Sequence, residues 1–281
     1  QGRDAAVRAA MTCSAPLVED VVRELAAAGV DRFLALPLYP QYSLTTTKGA
    51  LERSRAAVRR FAPGARLEEL GSFPTHPLFV EAHAEGIREE LAKFPDPRPE
   101  AVQLVFSAHS IPKKLVTKEG DPYASEVEAG MRAILARLDW KGPATLAYQS
   151  KLGPIEWLGP ATSAVLAELG RQRQRQVLVV PIAFVTDHVE TLQEIDQLFA
   201  GQAREAGIEH FRRTPGLNDR PAAIVGDARR GLELLARQLP LEGGAELVEE
   251  LLVLALEELL LEGPLPPAER VFGHPPSSLA R

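Results

Sequence analysis

Short runs of consecutive apolar residues alternate along the chain with longer stretches whose apolar positions return every three or four residues. The runs Ala6–Met11, Arg32–Pro37, Ala101–Ser107, Thr145–Tyr148, Val177–Ile182 and Ala222–Val225 predict strands. They are nearly continuous in apolar character instead of alternating, as in strands covered on both faces of a parallel sheet. The helical period predicts helices over Pro16–Ala28, Leu51–Phe61, Pro77–Lys93, Ala124–Leu138, Ala161–Leu169, Val189–Ala206 and Asp227–Leu239. Pro16, shortly after Ser14, suits a first helical turn. This βαβα succession predicts an α/β fold with a doubly wound parallel sheet.

The segment Phe94-Pro95-Asp96-Pro97-Arg98-Pro99 interrupts that rhythm and reads as a linker. It divides the chain into an N-terminal half, 1–98, and a C-terminal half, 99–239. A helix at 240–262 is expected to pack back on the first half, and the Pro- and Ser-containing tail 263–281 to be irregular. Within that helix, Leu247–Leu261 is broken by Glu249, Glu250, Glu257 and Glu258, which makes it amphipathic and too polar to span a membrane. The alternating Arg171–Gln176 run reads as a solvated loop.

Composition narrows the function. With 32 Lys+Arg against 38 Asp+Glu the net charge is −6, which lacks the basic footprint of a nucleic-acid binder. Cys13 is the sole cysteine, so an intrachain disulfide, a thiolate-held zinc and a four-cysteine iron–sulfur cluster are all excluded. A reducing, cytoplasmic location fits. Phosphate-cradling glycine loops are absent, which disfavours nucleotide cofactors.

Ligands of open parallel sheets bind beyond the carboxyl ends of the strands. Those ends carry Tyr39, Gln41, Tyr42, Ser43 and Thr45-Thr46-Thr47 in the first instance. Next come Ser107, His109 and Ser110; then Gln149, Ser150 and Lys151; then Phe184, Thr186, Asp187, His188 and Glu190. His109 reads equally well as a hydrogen-bonded structural residue or as a base; an imidazole can take up protons near neutrality or bind a divalent metal. Asp187 and Glu190 have the spacing of a capping box, which needs no function. Asp187, Glu190 and Glu194 also share a helical face. His188 and Glu190, two apart, diverge by about 200° on a regular helix, so Glu190 rather than His188 is expected to face His109. Lys151 suits either an anionic substrate group or a turn. Trp157 reads as packing, and His76, His83, His210 and His274 as structural or surface residues.

Several longer words carry more information. Leu38-Tyr39-Pro40-Gln41-Tyr42-Ser43, Phe106-Ser107-Ala108-His109-Ser110-Ile111-Pro112, Gln149-Ser150-Lys151-Leu152-Gly153-Pro154 and the segment Pro181–Leu192 resemble ferrochelatases. The likeness continues through Gly120-Asp121-Pro122-Tyr123 and Leu217-Asn218 and spans roughly residues 7–240, in family order. It implies two Rossmann-like domains flanking a porphyrin cleft, and a lyase of haem and porphyrin biosynthesis that inserts Fe²⁺ into protoporphyrin IX or coproporphyrin III. By the same resemblance His109 and Glu190 are the catalytic pair, and Tyr39, Gln41, Tyr42, Ser43, Lys151 and Phe184 contact the substrate. His109, Glu190 and Glu194 handle the metal. Porphyrin and ferrous iron are then the partners, with iron as substrate and no cofactor or iron–sulfur cluster expected. Peripheral membrane contact suits an apolar porphyrin, though no segment demands it, and oligomeric state stays open.

Two departures from the family pattern stand out. Leu198 occupies the next rung after Glu190 and Glu194, where many relatives carry an acid. Relatives also have a further segment before the part resembling Ala5–Met11, including a strand and part of the cleft wall. Two alternatives follow: a cobalt chelatase acting on sirohydrochlorin, which shares the fold, and a shortened paralogue that binds a tetrapyrrole without metallating it.

Overall fold

The structure, a computed structural model, describes residues 6–218. Its larger sheet is built from β3 (Gln103–His109), β4 (Ala144–Gln149), β5 (Gln176–Pro181) and β6 (His210–Arg213), all parallel in the order β4-β3-β5-β6. Gln103–Ala108 of β3 and the whole of β5 are buried, as their unbroken apolar runs require. Alternate residues of β3 serve opposite faces. Leu104, Phe106 and Ala108 meet Val80 and Ile87 of α3 (Pro77–Leu91) and Val127 and Ile134 of α5 (Tyr123–Arg137). On the other face, Val105 joins Leu166 of α6 (Thr162–Arg171), Ile195 and Phe199 of a π-helix (Glu190–Phe199) and Ala203 of α7 (Ala200–Glu205). Thus α3, which precedes the Pro-rich linker, covers the sheet that follows it.

The smaller sheet pairs β1 (Arg32–Ala35) with β2 (Arg66–Glu69) in parallel. It packs Phe33 and Leu67 against Val18 and Val22 of α1 (Val18–Ala27) and Ala57 and Val58 of α2 (Thr47–Phe61). Its strands are only half-buried. The α/β class expected from the pattern is therefore observed, with parallel strands in both sheets.

Several expectations are corrected. Ala6–Met11 forms no strand; among the described residues its one bridge is Met11 to Leu17, and its side chains are largely exposed. The patterning overlooked β2 and β6 because Arg66, Glu68, Glu69, Arg212 and Arg213 hide charges in ion pairs instead of showing apolar character. It also overlooked α4 (Lys113–Glu119), a lysine-rich turn that ends where Gly120 takes up φ +73°, the left-handed C-cap conformation. The expected Ala222–Val225 strand, the Asp227–Leu239 and 240–262 helices and the 263–281 tail lie outside the described residues. Among the described residues no helix is long and apolar enough to cross a membrane.

Candidate active site

His109 is the last residue of β3, where the sheet stops and its side chain emerges half-exposed. Its Nδ1 lies 2.7 Å from the carbonyl oxygen of Ser110. A carbonyl only accepts, so Nδ1 carries the hydrogen of this bond, and Nε2 is the nitrogen turned towards the site. Nε2 faces Oε1 of Glu190 at 3.8 Å. Phe184 stands edge-on to both neighbouring imidazoles, its ring centroid 6.4 Å from that of His109 and 4.3 Å from that of His188.

The Glu190 side chain is left to face His109, since no side chain caps the helix it begins. The expected Asp187–Glu190 capping box does not form. Instead the Thr191 hydroxyl accepts from the His188 backbone N–H and donates to the His188 carbonyl, both at 2.9 Å. Asp187 turns outward to Arg213, Asn218 and the Gly216 amide. The expected divergence of His188 from Glu190 also fails: His188 Nδ1 sits 2.6 Å from Glu190 Oε2. His188 precedes the regular helix, so the 3.6-residue geometry does not apply to it. The helix itself then opens with i→i+5 bonding, a geometry often found at functional sites. Glu190 consequently lies between two imidazoles, one oxygen towards each.

Glu194, one turn on, is held by three donors. Ser150 gives its backbone N–H, at 2.9 Å, and its hydroxyl; Gln149 gives its side-chain amide at 3.1 Å. Ser150 adopts φ +63°, which aims both of its donors at one carboxylate. Gln149 is buried and its amide is fully used: the oxygen accepts from Ser107 Oγ at 2.7 Å, while the nitrogen also donates to the Glu190 carbonyl at 2.9 Å. Gln149 thereby ties the ends of β3 and β4 to the first turn of the acidic helix. His109, Glu190 and Glu194 do not converge as a cage: among the described residues no three His, Cys, Asp or Glu are arranged to hold an ion.

The segment after β1, held to the same sheet edge at the Ile182 carbonyl, is read as a second wall of the site. Tyr39 is exposed and Tyr42 half-exposed. Gln41 and Ser43 are buried and bond protein groups: Gln41 donates to the Ile182 carbonyl at 3.2 Å, and Ser43 to Asp121 at 2.8 Å. Lys151 lies on an exposed turn with Leu152 and Ile155. Leu38, Leu152, Ile155 and Val189 expose large apolar side chains on the segments that leave the strand ends. An apolar rim around a polar centre suits a flat, mostly apolar ligand with a reactive middle.

Sequence reasoning placed Gln149 at a strand end without giving it a role, and passed over Arg213 altogether. Arg213 lies in a charged strand with no signal of its own. Its side chain, almost fully buried, binds Asp187 at 2.6 Å and Asp196 at 2.8 Å, clasping the start of the helix to its middle. Burial alone would push the Asp187 carboxyl up, but the Asn218 hydrogen bond and the Arg213 charge outweigh it and hold it below the ordinary range. Of the histidines read as structural, His76 caps α3 and His83 is buried beneath Phe79, where desolvation pushes it down to about 4.

Parallel strands with the chemistry at their carboxyl ends define an α/β chelatase-like fold. It is shared with a sirohydrochlorin chelatase, SirB from Bacillus subtilis subspecies spizizenii, solved in complex with cobalt, at TM-score 0.54 and 14% identity over 81% of each chain. The family model for ferrochelatase matches residues 1–226. A ferrochelatase of Synechococcus sp. (strain JA-3-3Ab) is 43% identical over 227 residues, covering 80% of this chain and 66% of that protein. One from Synechocystis sp. (strain ATCC 27184 / PCC 6803 / Kazusa) is 41% identical over 237 residues, 83% of this chain and 60% of that protein. The chain belongs to the ferrochelatase family, and it spans somewhat less than two thirds of the length of these relatives.

Proposed function

We propose that this chain is a ferrochelatase, a lyase that inserts Fe²⁺ into a porphyrin within cytoplasmic haem synthesis, with His109 and Glu190 as its catalytic pair. One observation carries the reading: Nε2 of His109 faces one oxygen of the Glu190 carboxylate, whose other oxygen lies 2.6 Å from the His188 ring. Four ring nitrogens can replace the ligands of a hydrated ion only if two N–H protons leave and the ring puckers. His109 Nε2 is placed to accept a pyrrole proton, and Glu190 to draw it on towards His188. The ammonium-free, carboxylate-bearing side also attracts the incoming cation, with Glu194 as the next acidic group along the helix. Phe184 braces both imidazoles, and Tyr39 and Tyr42 offer aromatic faces to the macrocycle. Lys151 on its exposed turn is suited to a porphyrin carboxylate.

The test is to incubate the 281-residue chain with protoporphyrin IX or coproporphyrin III and Fe²⁺ or Zn²⁺, following loss of free-porphyrin absorption. Insertion that disappears in His109→Ala is expected, and the faster porphyrin names the substrate. Equal insertion by His109→Ala and wild type overturns the assignment. Turnover of sirohydrochlorin with Co²⁺ but of neither porphyrin assigns a cobalt chelatase, and tight porphyrin binding without insertion assigns a binding protein.

A further inference from the structure

The word Gly120-Asp121-Pro122-Tyr123 has no part in the chemistry above, yet it touches both walls of the site. Asp121 is buried, and its Oδ2 accepts from the Ser43 hydroxyl and the Leu44 backbone N–H, each at 2.8 Å. Its Oδ1 accepts from the Tyr123 backbone N–H at 3.0 Å. Two residues on, the buried Tyr123 donates its hydroxyl to the carbonyl of His109 at 2.9 Å. A turn further, Glu126 accepts from the Tyr42 backbone N–H at 2.7 Å and from the Ser72 hydroxyl at 3.2 Å.

These bonds are directional and specific. The Tyr39–Leu44 segment has no strand or helix of its own, so its backbone groups need partners from elsewhere. The Asp121 and Glu126 carboxylates supply them, and hydrogen bonds to an ionised acceptor are among the stronger ones available. His109 ends its strand, so its carbonyl lacks a ladder partner on the α5 side, and Tyr123 provides one. Pro122 between Asp121 and Tyr123 fixes φ, which limits how far the two anchors can move apart.

We propose that Asp121 and Tyr123 form a positioning unit that sets the distance between the two walls of the site: Asp121 holds the tyrosine-bearing loop, and Tyr123 holds the main chain of His109. Neither touches substrate. This deepens the ferrochelatase reading and rests on it for its kinetic consequences. Asp121 is a specificity-determining support, because the loop it holds presents Tyr39 and Tyr42. Tyr123 supports catalysis instead, because it fixes the strand end that carries the base.

The test compares Asp121→Asn and Tyr123→Phe in the 281-residue chain. An amide has one acceptor oxygen, so Asn can satisfy one side of the Asp121 site and not both. Asp121→Asn is expected to weaken protoporphyrin or coproporphyrin binding by about ten-fold, with a smaller effect on kcat. Amide exchange at Leu44 should quicken by about as much. Tyr123→Phe is expected to lower kcat by about five-fold, to leave the porphyrin Kd and Leu44 exchange unchanged, and to quicken amide exchange at Ser110, whose N–H belongs to the peptide unit that Tyr123 holds. Ser43→Ala, which removes one donor to the same carboxylate, should repeat the Asp121→Asn change at smaller size if Asp121→Asn fails to fold. Unchanged Leu44 exchange and Kd in both loop variants overturns the role of Asp121. Unchanged kcat and Ser110 exchange in Tyr123→Phe overturns that of Tyr123. A wild-type chain that neither binds nor metallates porphyrin removes the ferrochelatase reading, while Leu44 and Ser110 exchange still decide the positioning claim.

Discussion

The two sheets solve the same packing problem to different depths. In the larger one, β3 and β5 are sandwiched between helices on both faces, and Phe106, Leu104 and Leu178 are wholly buried. In the smaller one, β1 and β2 remain half-exposed, and their cover comes from α1 and α2. The groups read as the chemical machinery stand on the ends of the deep sheet and on the helix packed against it. The tyrosines read as the substrate wall stand on the shallow one, on a loop whose polar backbone is fixed by carboxylates borrowed from the other side. A base must be held rigidly, whereas a surface for a large flat ligand tolerates some give.

The sharpest way to break this contrast is kinetic. His109→Ala should cost about 10²- to 10⁴-fold in kcat for metal insertion, the usual range for a lost general base, with circular dichroism unchanged. Tyr39→Ala should raise KM for porphyrin severalfold and leave kcat within about two-fold. A kcat loss in Tyr39→Ala as large as in His109→Ala would dissolve the distinction. The next effect is thermodynamic. Phe106→Ala should destabilise by about 3–5 kcal/mol in urea unfolding, whereas Phe33→Ala, half-buried in the smaller sheet, should cost about half as much. Equal costs would mean that the smaller sheet is as tightly packed as the larger.

Acid sensitivity should map to the deep side as well. His83 on α3 titrates near 4 in the folded chain instead of about 6.5, because burial penalises its charged form. The unfolded chain therefore takes up a proton that the folded chain refuses, and stability should fall by about 3 kcal/mol between pH 6.5 and 4 and level off below. His83→Leu should abolish that slope, and an unchanged pH profile in the variant would assign acid lability elsewhere. The smallest expected effect is that of Arg213→Gln, about 2 kcal/mol. Asp187 is depressed in the folded state, so its contribution is present above about pH 4 and lost as pH falls through its folded value. The variant should show a smaller acid-side loss, since Asn218 still lowers Asp187, and urea midpoints at pH 3 and 6 would reveal the difference.

The α/β class and the deep strands were readable because fully buried strands leave unbroken apolar runs, as Val177–Pro181 does. The strand-end rule gathered His109, His188 and Glu190 at one edge among other polar residues, and the structure brings these three side chains together. What escaped detection did so for stated physical reasons. β6 hides behind Arg212 and Arg213, whose charges are met by Glu90, Asp187 and Asp196 from distant parts of the chain. Ala6–Met11 shows that a short apolar run need not be a strand: it is largely exposed, and only Met11 forms a bridge among the described residues. The approach of His188 to Glu190 was misjudged because regular helical geometry was applied to a residue one step before the helix begins. The burial of Gln41 and Ser43 depended on Ile182 and Asp121, far away in sequence, and no local pattern carries that.

Thr191 gives the molecule one further freedom. Its hydroxyl bonds both the N–H and the carbonyl of His188, so the peptide just ahead of the acidic helix is held by a side chain other than that of Glu190. A substitution at 190 should therefore leave that turn in place, and what the carboxylate facing His109 does can be read apart from whether the chain folds.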